Sequence, residues 1–169
     1  YRHAGVDIRG ILRALVADIV TRDFRQGGST ITQQLVKNSI LGRERTITRK
    51  IREAVYAMAL EARLPKEEIL NLYLNQIPYG SNAYGIEAAA QTYFGRHARE
   101  LSLRQAAILA ALPAAPTYFS PYGQHADELE RRADRILERM GQFGYVTPAE
   151  AERARREPSK FLPAARNIR

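Results

Sequence analysis

The apolar positions of this chain follow a helical period along most of its length. Between residues 6 and 20 they recur at intervals of three and four, as Ile8, Ile11, Leu12, Leu15, Val16 and Ile19. A second series over residues 46–63 has a similar spacing and consists of Ile47, Ile51, Ala54, Val55, Met58 and Ala62. Because side chains three or four residues apart share one face of a helix, each series predicts an amphipathic helix with one apolar stripe.

Residues typical of helix starts and ends divide the rest of the chain. Pro65, followed by Glu67 and Glu68, predicts a helix that runs to about Asn75 and ends before Pro78. The next helix is predicted to begin at a cap and end at a glycine, namely Asn82 and Gly95. Two capping boxes predict helices over 103–112 and 148–156, and these are Ser102 with Gln105 and Thr147 with Glu150.

One mainly α domain accounts for this series of helices, and we assign it to residues 1–156. Residues 126–142 are predicted to form a further helix, with Gly144 just beyond its end. The remaining residues, 157–169, have no apolar period and contain two prolines. They predict a linker towards another part of a longer protein.

Composition favours a globular domain with an anionic partner. The chain has 169 residues, a net charge of +8 and a pI of about 10.0, which suit a phosphorylated substrate, an anionic membrane surface or a nucleic acid. It has no cysteine, so disulfides and thiolate chemistry are excluded, and three scattered histidines predict no metal site. No apolar run reaches the roughly 18–20 residues that a membrane-spanning helix needs.

A first cluster of polar residues lies in the segment Gly27–Asn38, with the sequence GGSTITQQLVKN. The glycine pair permits close approach of a ligand, and Ser29 or Thr30 can cap a helix whose first N–H groups would face an anion. Lys37 lies on that helix with two amide side chains, Gln34 and Asn38. The segment therefore predicts an oxyanion site, although a glycine loop before an ordinary surface helix has the same residues.

A second cluster lies on the helix predicted over residues 46–63. Arg45, Arg49 and Glu53 are spaced at i, i+4 and i+8, so they form one row, which helical geometry places opposite the apolar stripe. The arginines suit a phosphate, because a guanidinium can bind it with two hydrogen bonds. The alternative is an exposed ladder of ion pairs that contributes little to stability.

Taken together, these segments resemble the peptidoglycan glycosyltransferase domain, glycosyltransferase family 51, and in particular that of class A penicillin-binding proteins. The resemblance extends over nearly the whole chain. It is carried by four segments in the family's order, which match its second to fifth motifs: 27–34, 49–54, 69–80 and 106–116.

The resemblance implies a lysozyme-like helical fold with a smaller membrane-facing lobe. It also implies polymerisation of lipid II on the outer face of the bacterial cytoplasmic membrane, in cell-wall synthesis, by a domain that moenomycin-type phosphoglycolipids would bind. The implied partners are lipid II, the lipid-linked glycan, the membrane surface and a C-terminal transpeptidase domain. No cofactor is required, and a divalent cation, Mg or Mn, is compatible with the site.

The family's motifs also imply the residues of the site. Glu53 matches an essential catalytic glutamate, and the substrate-binding residues would be His3, Ser29, Thr30, Gln34, Lys37, Asn38, Arg45 and Arg49. Of the first motif, Glu-Asp-x-x-Phe-x-x-His-x-Gly, the chain contains only the end, His3-Ala4-Gly5. The motif's glutamate, the family's expected general base, would precede His3 by seven residues, and we interpret its absence as truncation.

Three other functions fit parts of the pattern. A domain without the first-motif glutamate could bind lipid II without reacting it. A basic helical module could bind nucleic acid, but its positive charges would then form one patch, and here they are spread over several segments. A lysozyme-like hydrolase would use a carboxylic acid on finished glycan and would have little use for a cationic site.

Overall fold

The computed structural model describes residues 30–39 and 46–164. The chain divides into two compact units, residues 1–76 and residues 77–169. In the described ranges both units are built mainly of helices, so the predicted mainly α class is confirmed. Within those ranges no helix is both long and apolar enough to cross a membrane. The helix predicted over residues 6–20 lies outside them.

The first unit contains three described helices, α1 (Ile31–Ser39), α2 (Ile47–Glu61) and α3 (Lys66–Gln76). Helix α1 packs against both α2 and α3. The buried apolar side chains among them are Leu35, Val36, Ala57 and Ile69. These contacts place the polar segment that begins at Thr30 beside the helix that carries Glu53.

Helix α2 presents the opposite face from the one that its apolar stripe predicts. Glu53 is 1% exposed and Ala57 is 2% exposed, whereas Ile51 is 57% exposed and Val55 is 49% exposed. The prediction that Glu53 lies on an outward row, opposite a buried stripe, is therefore wrong. Glu53 can be buried because two cationic side chains of the same helix bind its carboxylate, which offsets the cost of removing the charge from water.

The second unit begins with a short antiparallel hairpin, in which Pro78 pairs with Tyr84. Its elements are β1 (Pro78–Gly80), β2 (Ala83–Tyr84), α4 (Ile86–Phe94), α5 (Leu103–Ala111), α6 (Ala126–Gln142) and α7 (Pro148–Arg156), with 3₁₀ turns at Ala98–Glu100 and Leu112–Ala114. Helix α6 packs against both α5 and α7. The largest buried apolar side chains of this unit are Ile77, Tyr79, Tyr93, Ile108, Leu109, Leu112, Leu129 and Leu137.

Both predicted capping boxes are present. The Ser102 hydroxyl accepts a hydrogen bond from the backbone N–H of Gln105 at 3.3 Å, and the Thr147 hydroxyl accepts one from Glu150 at 3.2 Å. Gly144 follows α6 with a positive φ of 74°, as its predicted place beyond the helix end requires. Local capping signals therefore placed the starts of α5 and α7 and the end of α6 correctly.

The prediction that Asn82 caps a helix is wrong. Asn82 lies in the turn between β1 and β2 with a φ of 59°, and α4 begins after Gly85. The close packing of Gly80 beside this turn is a long-range constraint: a Cβ there would lie 2.9 Å from the carbonyl oxygen of Pro116. The predicted helix end at Gly95 is confirmed by its left-handed φ of 64°.

The segment after α7 lies on the second unit as far as the structure describes it. The backbone N–H of Leu162 donates to the carbonyl of Tyr93 at 2.8 Å, and the ring of Phe161 stacks on Phe94 with centroids 5.5 Å apart. The hydroxyl of Ser159 accepts from the buried guanidinium of Arg104 at 3.2 Å. Residues 157–164 therefore pack against this unit through a backbone hydrogen bond, a ring stack and a side-chain hydrogen bond.

Candidate active site

The first part of the site is the start of α1. The Thr30 hydroxyl accepts from the backbone N–H of Gln33 at 3.2 Å, and the Gln33 side chain accepts from the backbone N–H of Thr30 at 3.1 Å. Of the two residues predicted as possible caps, Ser29 and Thr30, Thr30 caps the helix, with Gln33 as its reciprocal partner. Since the cap uses the N–H of Gln33, that donor is not one of those available to an anion.

The other polar residues of α1 differ in exposure. Lys37 and Asn38 are exposed, so both can reach a ligand. Gln34 is half-buried, and its side-chain oxygen accepts from the hydroxyl of Tyr73 on α3 at 3.2 Å. Burial raises the pKa of the Tyr73 phenol, which keeps this hydroxyl protonated as a donor. The bond fixes the orientation of Gln34 and ties α1 to α3.

The second part of the site is a buried carboxylate between two cations. One oxygen of Glu53 accepts from Nζ of Lys50 at 2.6 Å, and the other accepts from a terminal nitrogen of Arg49 at 3.2 Å. The carboxylate is 1% exposed, whereas the side chains of Arg49 and Lys50 are 19% and 33% exposed. Glu53 therefore binds Arg49 and Lys50 from the buried side, and part of each cationic side chain stays accessible to solvent or a ligand.

Arg49 retains hydrogen-bonding capacity beyond this ion pair. Among the described residues its buried Nε has no hydrogen-bond partner. A guanidinium donates through several N–H groups in a planar fork, and such a fork fits a phosphate. The three side chains of the cluster together carry one net positive charge, so the cluster still attracts an anion.

The structure brings together part of the predicted set. Arg49 and Glu53 are in contact as their spacing predicts, and the helices that carry Lys37 and Arg49 pack against each other. Three predicted site residues lie outside the described residues: His3, Ser29 and Arg45. The convergence of Lys37 and Arg49 on one leaving group stays a prediction.

Two residues with a part in this geometry were missed from the sequence. Lys50 makes the shorter ion pair with Glu53, and its position three residues before the glutamate is the signal that could have identified it. Tyr73 lies 39 residues from Gln34, so no local pattern connects them.

A cavity of about 360 Å³ opens at the capped end of α1, and it is mostly apolar. Its lining consists of Thr30, Ile31, Thr32, Glu61, Lys66, Ile69 and Leu70. Glu61 accepts from the hydroxyl of Thr32 at 2.6 Å, and Nζ of Lys66 lies 3.8 Å from its other oxygen. This cavity adjoins the polar segment of α1 but contains neither Lys37 nor the Glu53 cluster.

The described part of the chain contains no group of three or more His, Asp or Glu side chains placed to hold a metal ion. The compatibility of the site with Mg or Mn stays a prediction. The chemistry that the described residues support is electrostatic, since they supply cations, hydroxyl groups and amide groups.

Comparison with known proteins identifies the class to which this arrangement belongs. Residues 1–141 match the family described as Transglycosylase. Penicillin-binding protein 1A of Aquifex aeolicus is 49% identical over 158 residues, which are 94% of this chain and 22% of that protein. Penicillin-binding protein 1A of Escherichia coli is 45% identical over 157 residues, 93% of this chain and 18% of that protein.

A solved structure agrees with these relatives. The crystal structure of penicillin-binding protein 1A from Haemophilus influenzae has a TM-score of 0.54 and is 32% identical, covering 79% of this chain and 17% of that chain. This chain therefore belongs to the transglycosylase family and is a glycosyltransferase domain. The resemblance inferred from the four motifs is confirmed. The chain spans about a fifth of the length of the curated relatives named above.

Proposed function

We propose that this domain polymerises lipid II into β-1,4-linked glycan strands and releases undecaprenyl pyrophosphate, with inversion at the anomeric carbon. Membership of the transglycosylase family supports glycosyl transfer. One structural observation supports the choice of a diphosphate leaving group. It is the buried Glu53 that holds Arg49 and Lys50, on a helix packed against the one that carries Lys37.

The chemistry of the proposed step explains the need for positive charge. The 4-hydroxyl of one disaccharide attacks the anomeric carbon of the growing strand, the bond to the diphosphate breaks, and negative charge grows on the diphosphate oxygens. Cations fixed in advance near those oxygens stabilise the transition state more than the ground state. Lys37, Arg45 and Arg49 are the cations that we assign to this task.

The remaining site residues have binding roles in this proposal. The hydroxyl groups of Ser29 and Thr30 and the side-chain amides of Gln34 and Asn38 hold the donor near the start of α1. The role that we assign to His3 is to order the loop of the first motif. The proton of the attacking hydroxyl would go to the glutamate of the family's first motif, which is not among the residues of this chain.

Glu53 acts on the cations in this scheme. Both of its oxygens already accept hydrogen bonds from Arg49 and Lys50. It therefore fixes where the two positive charges lie, and the loss of its own charge would let them move apart. We propose this positioning role in place of direct proton transfer.

The partners and location follow from the substrate. Lipid II and the growing strand are anchored in a bilayer, so the domain would work at the outer face of the bacterial cytoplasmic membrane. The greater length of the relatives supports a C-terminal transpeptidase domain in the parent protein. No nucleic acid takes part, and a divalent cation would act only by adding positive charge near the diphosphate.

The test is incorporation of labelled lipid II by this chain extended upstream to restore the first motif. We expect glycan polymer from the extended chain. Lys37→Ala should lower the rate by about 10²–10³-fold, the loss typical of removing one transition-state charge donor. Glu53→Gln should cause a loss of similar size with unchanged helical circular dichroism.

Lys160→Ala is the matched control, because it removes an exposed lysine that lies in the second unit. It should polymerise at the parent rate. No polymer from a folded extended chain, under conditions in which a known relative works, would refute glycosyl transfer to lipid II. Binding of lipid II without polymer would favour the silent binding domain, and unchanged turnover in Lys37→Ala would show that the site is misplaced.

A further inference from the structure

The hydroxyl of Tyr73 contacts a side chain that the proposed site uses. It donates to the side-chain oxygen of Gln34 at 3.2 Å, between the packed helices α3 and α1. Gln34 lies three and four residues before Lys37 and Asn38, so helical spacing places the three on neighbouring positions of α1. The contact therefore joins α3 to the part of α1 that we assign to the donor.

The backbone on both sides of this contact belongs to the core of the first unit. Leu35 and Val36, which follow Gln34, are buried, and so is Ile69, one turn before Tyr73 on α3. The two side chains in contact are half-buried, so they lie at the edge of this core. Both ends of the hydrogen bond are thus carried by backbone that packing holds in place.

The side chain of a glutamine benefits from such a contact. It has three rotatable bonds, and fixing them costs entropy when a ligand binds. A partner that orients the side chain in advance removes part of this cost and so increases affinity. Tyr73 suits this task, because its ring is attached through only two rotatable bonds and its hydroxyl donates directly to Gln34.

We propose that Tyr73 is a positioning residue, which holds the Gln34 side chain in the orientation that binds the donor lipid. The inference rests on the proposed function, which assigns donor binding to Gln34. Since Gln34 has a binding role, its orientation should stabilise the bound substrate and the transition state equally. Loss of the Tyr73 hydroxyl should therefore raise KM and leave kcat nearly unchanged.

The test is a double-mutant cycle of Tyr73→Phe and Gln34→Ala in the chain extended upstream to restore the first motif. Tyr73→Phe keeps the ring and removes one neutral hydrogen bond, so KM and the dissociation constant for lipid II should rise about three- to tenfold. The value of kcat should stay within about twofold of the parent. In the Gln34→Ala background the same substitution should change KM by less than about twofold, because the partner is gone.

Two matched controls separate the orientation of Gln34 from general stability. Ser39→Ala removes another side-chain hydrogen bond between α1 and α3, which Ser39 donates to Gln76. Tyr122→Phe removes a tyrosine hydroxyl of the second unit, which donates to the carbonyl of Leu162 at 2.8 Å. Both variants should keep the parent KM and dissociation constant.

A second measurement follows Gln34 directly and needs no substrate. The side-chain amide signal of Gln34 is identified in the NMR spectrum by its loss in Gln34→Ala. Its heteronuclear NOE should fall in Tyr73→Phe, because the side chain becomes more mobile on the picosecond to nanosecond timescale. The NOE should keep its parent value in Ser39→Ala.

Three results would overturn the proposal. A rise in KM of equal size in both backgrounds would show that Tyr73 acts independently of Gln34. An unchanged KM in Tyr73→Phe, or an equal rise in Ser39→Ala, would reduce the tyrosine to a structural role. An unchanged NOE in Tyr73→Phe would show that Gln34 is oriented without it.

Failure of the proposed function gives a different result. A folded parent chain that binds lipid II without making polymer would refute glycosyl transfer. The cycle measured in dissociation constants would still decide whether Tyr73 acts through Gln34.

Discussion

At the scale of single residues, the buried carboxylate of Glu53 is stabilised by two partly exposed cations, Arg49 and Lys50. A carboxylate that is 1% exposed would be costly alone, and here each oxygen has a cationic donor. The cations in turn are held close together against their mutual repulsion. The three side chains therefore form one unit, in which the loss of any member alters the other two.

This coupling predicts a non-additive mutant cycle. Glu53→Gln should lower the free energy of unfolding by about 2 kcal/mol, because two cations lose a charged partner. Adding Lys50→Met relieves the repulsion between the cations, so the double variant should be more stable than the sum of the singles by about 1 kcal/mol. Urea denaturation followed by circular dichroism measures all four corners, and strict additivity would contradict the coupling.

At the scale of elements, helix caps depend on residues that are close together in the sequence, so they form independently of the surrounding fold. Ser102 both caps α5 and donates a hydrogen bond to Glu157 at 2.7 Å. Thr147 caps α7 in the same reciprocal way, with Glu150 as its partner. Each box satisfies two backbone N–H groups within four consecutive residues, which is why such signals need no tertiary information.

Replacing the cap of α5 tests this directly. Ser102→Ala should lower the free energy of unfolding by about 1 kcal/mol, since the first turn loses its side-chain acceptor. Ser102→Asn should recover most of that loss, because asparagine is a comparable cap. Equal stability of the serine and alanine chains in urea would show that the cap contributes nothing.

The difference between local signals and tertiary packing explains how much of the fold could be predicted from the sequence. The starts of α5 and α7 and the end of α6 were correct because their signals are local. The orientation of α2 was not, because an apolar stripe shows that a helix has two faces but not which face its neighbours cover. Asn82 was misassigned for a similar reason, since its turn depends on packing between Gly80 and Pro116.

In the candidate site, too, some contacts follow from local sequence and others depend on tertiary packing. The contact between Arg49 and Glu53 follows from helical spacing. Thr30 is one of the two caps, with Ser29, that residue type alone predicted. The contact between Tyr73 and Gln34 depends on how α3 packs against α1, so no local pattern indicates it. The burial of Glu53 likewise depends on tertiary packing.

At the scale of the whole molecule, the segment after α7 extends the second unit beyond its last helix. Arg104, 5% exposed, binds Asp134 at 2.5 Å and also pairs with Glu130, both on α6. Ser159 accepts from Arg104 and donates to Glu130 at 2.9 Å, so the segment closes a network that begins between α5 and α6. Residues 157–164 are therefore packed as part of the second unit.

Shortening the chain shows whether this stretch is part of the domain. A chain that ends at Arg156 loses Ser159 from the network and Phe161 from its stack on Phe94, a loss of about 2–3 kcal/mol from apolar burial and ring contact. Its thermal midpoint should fall by roughly 5–10 °C. A chain that ends at Ala164 retains every contact described above and should keep the thermal midpoint of the full chain. Phe161→Ala in the full chain should lower the thermal midpoint by part of the same amount, because it removes only the ring stack. Equal midpoints in the two shortened chains would mean that residues 157–164 contact the second unit without stabilising it.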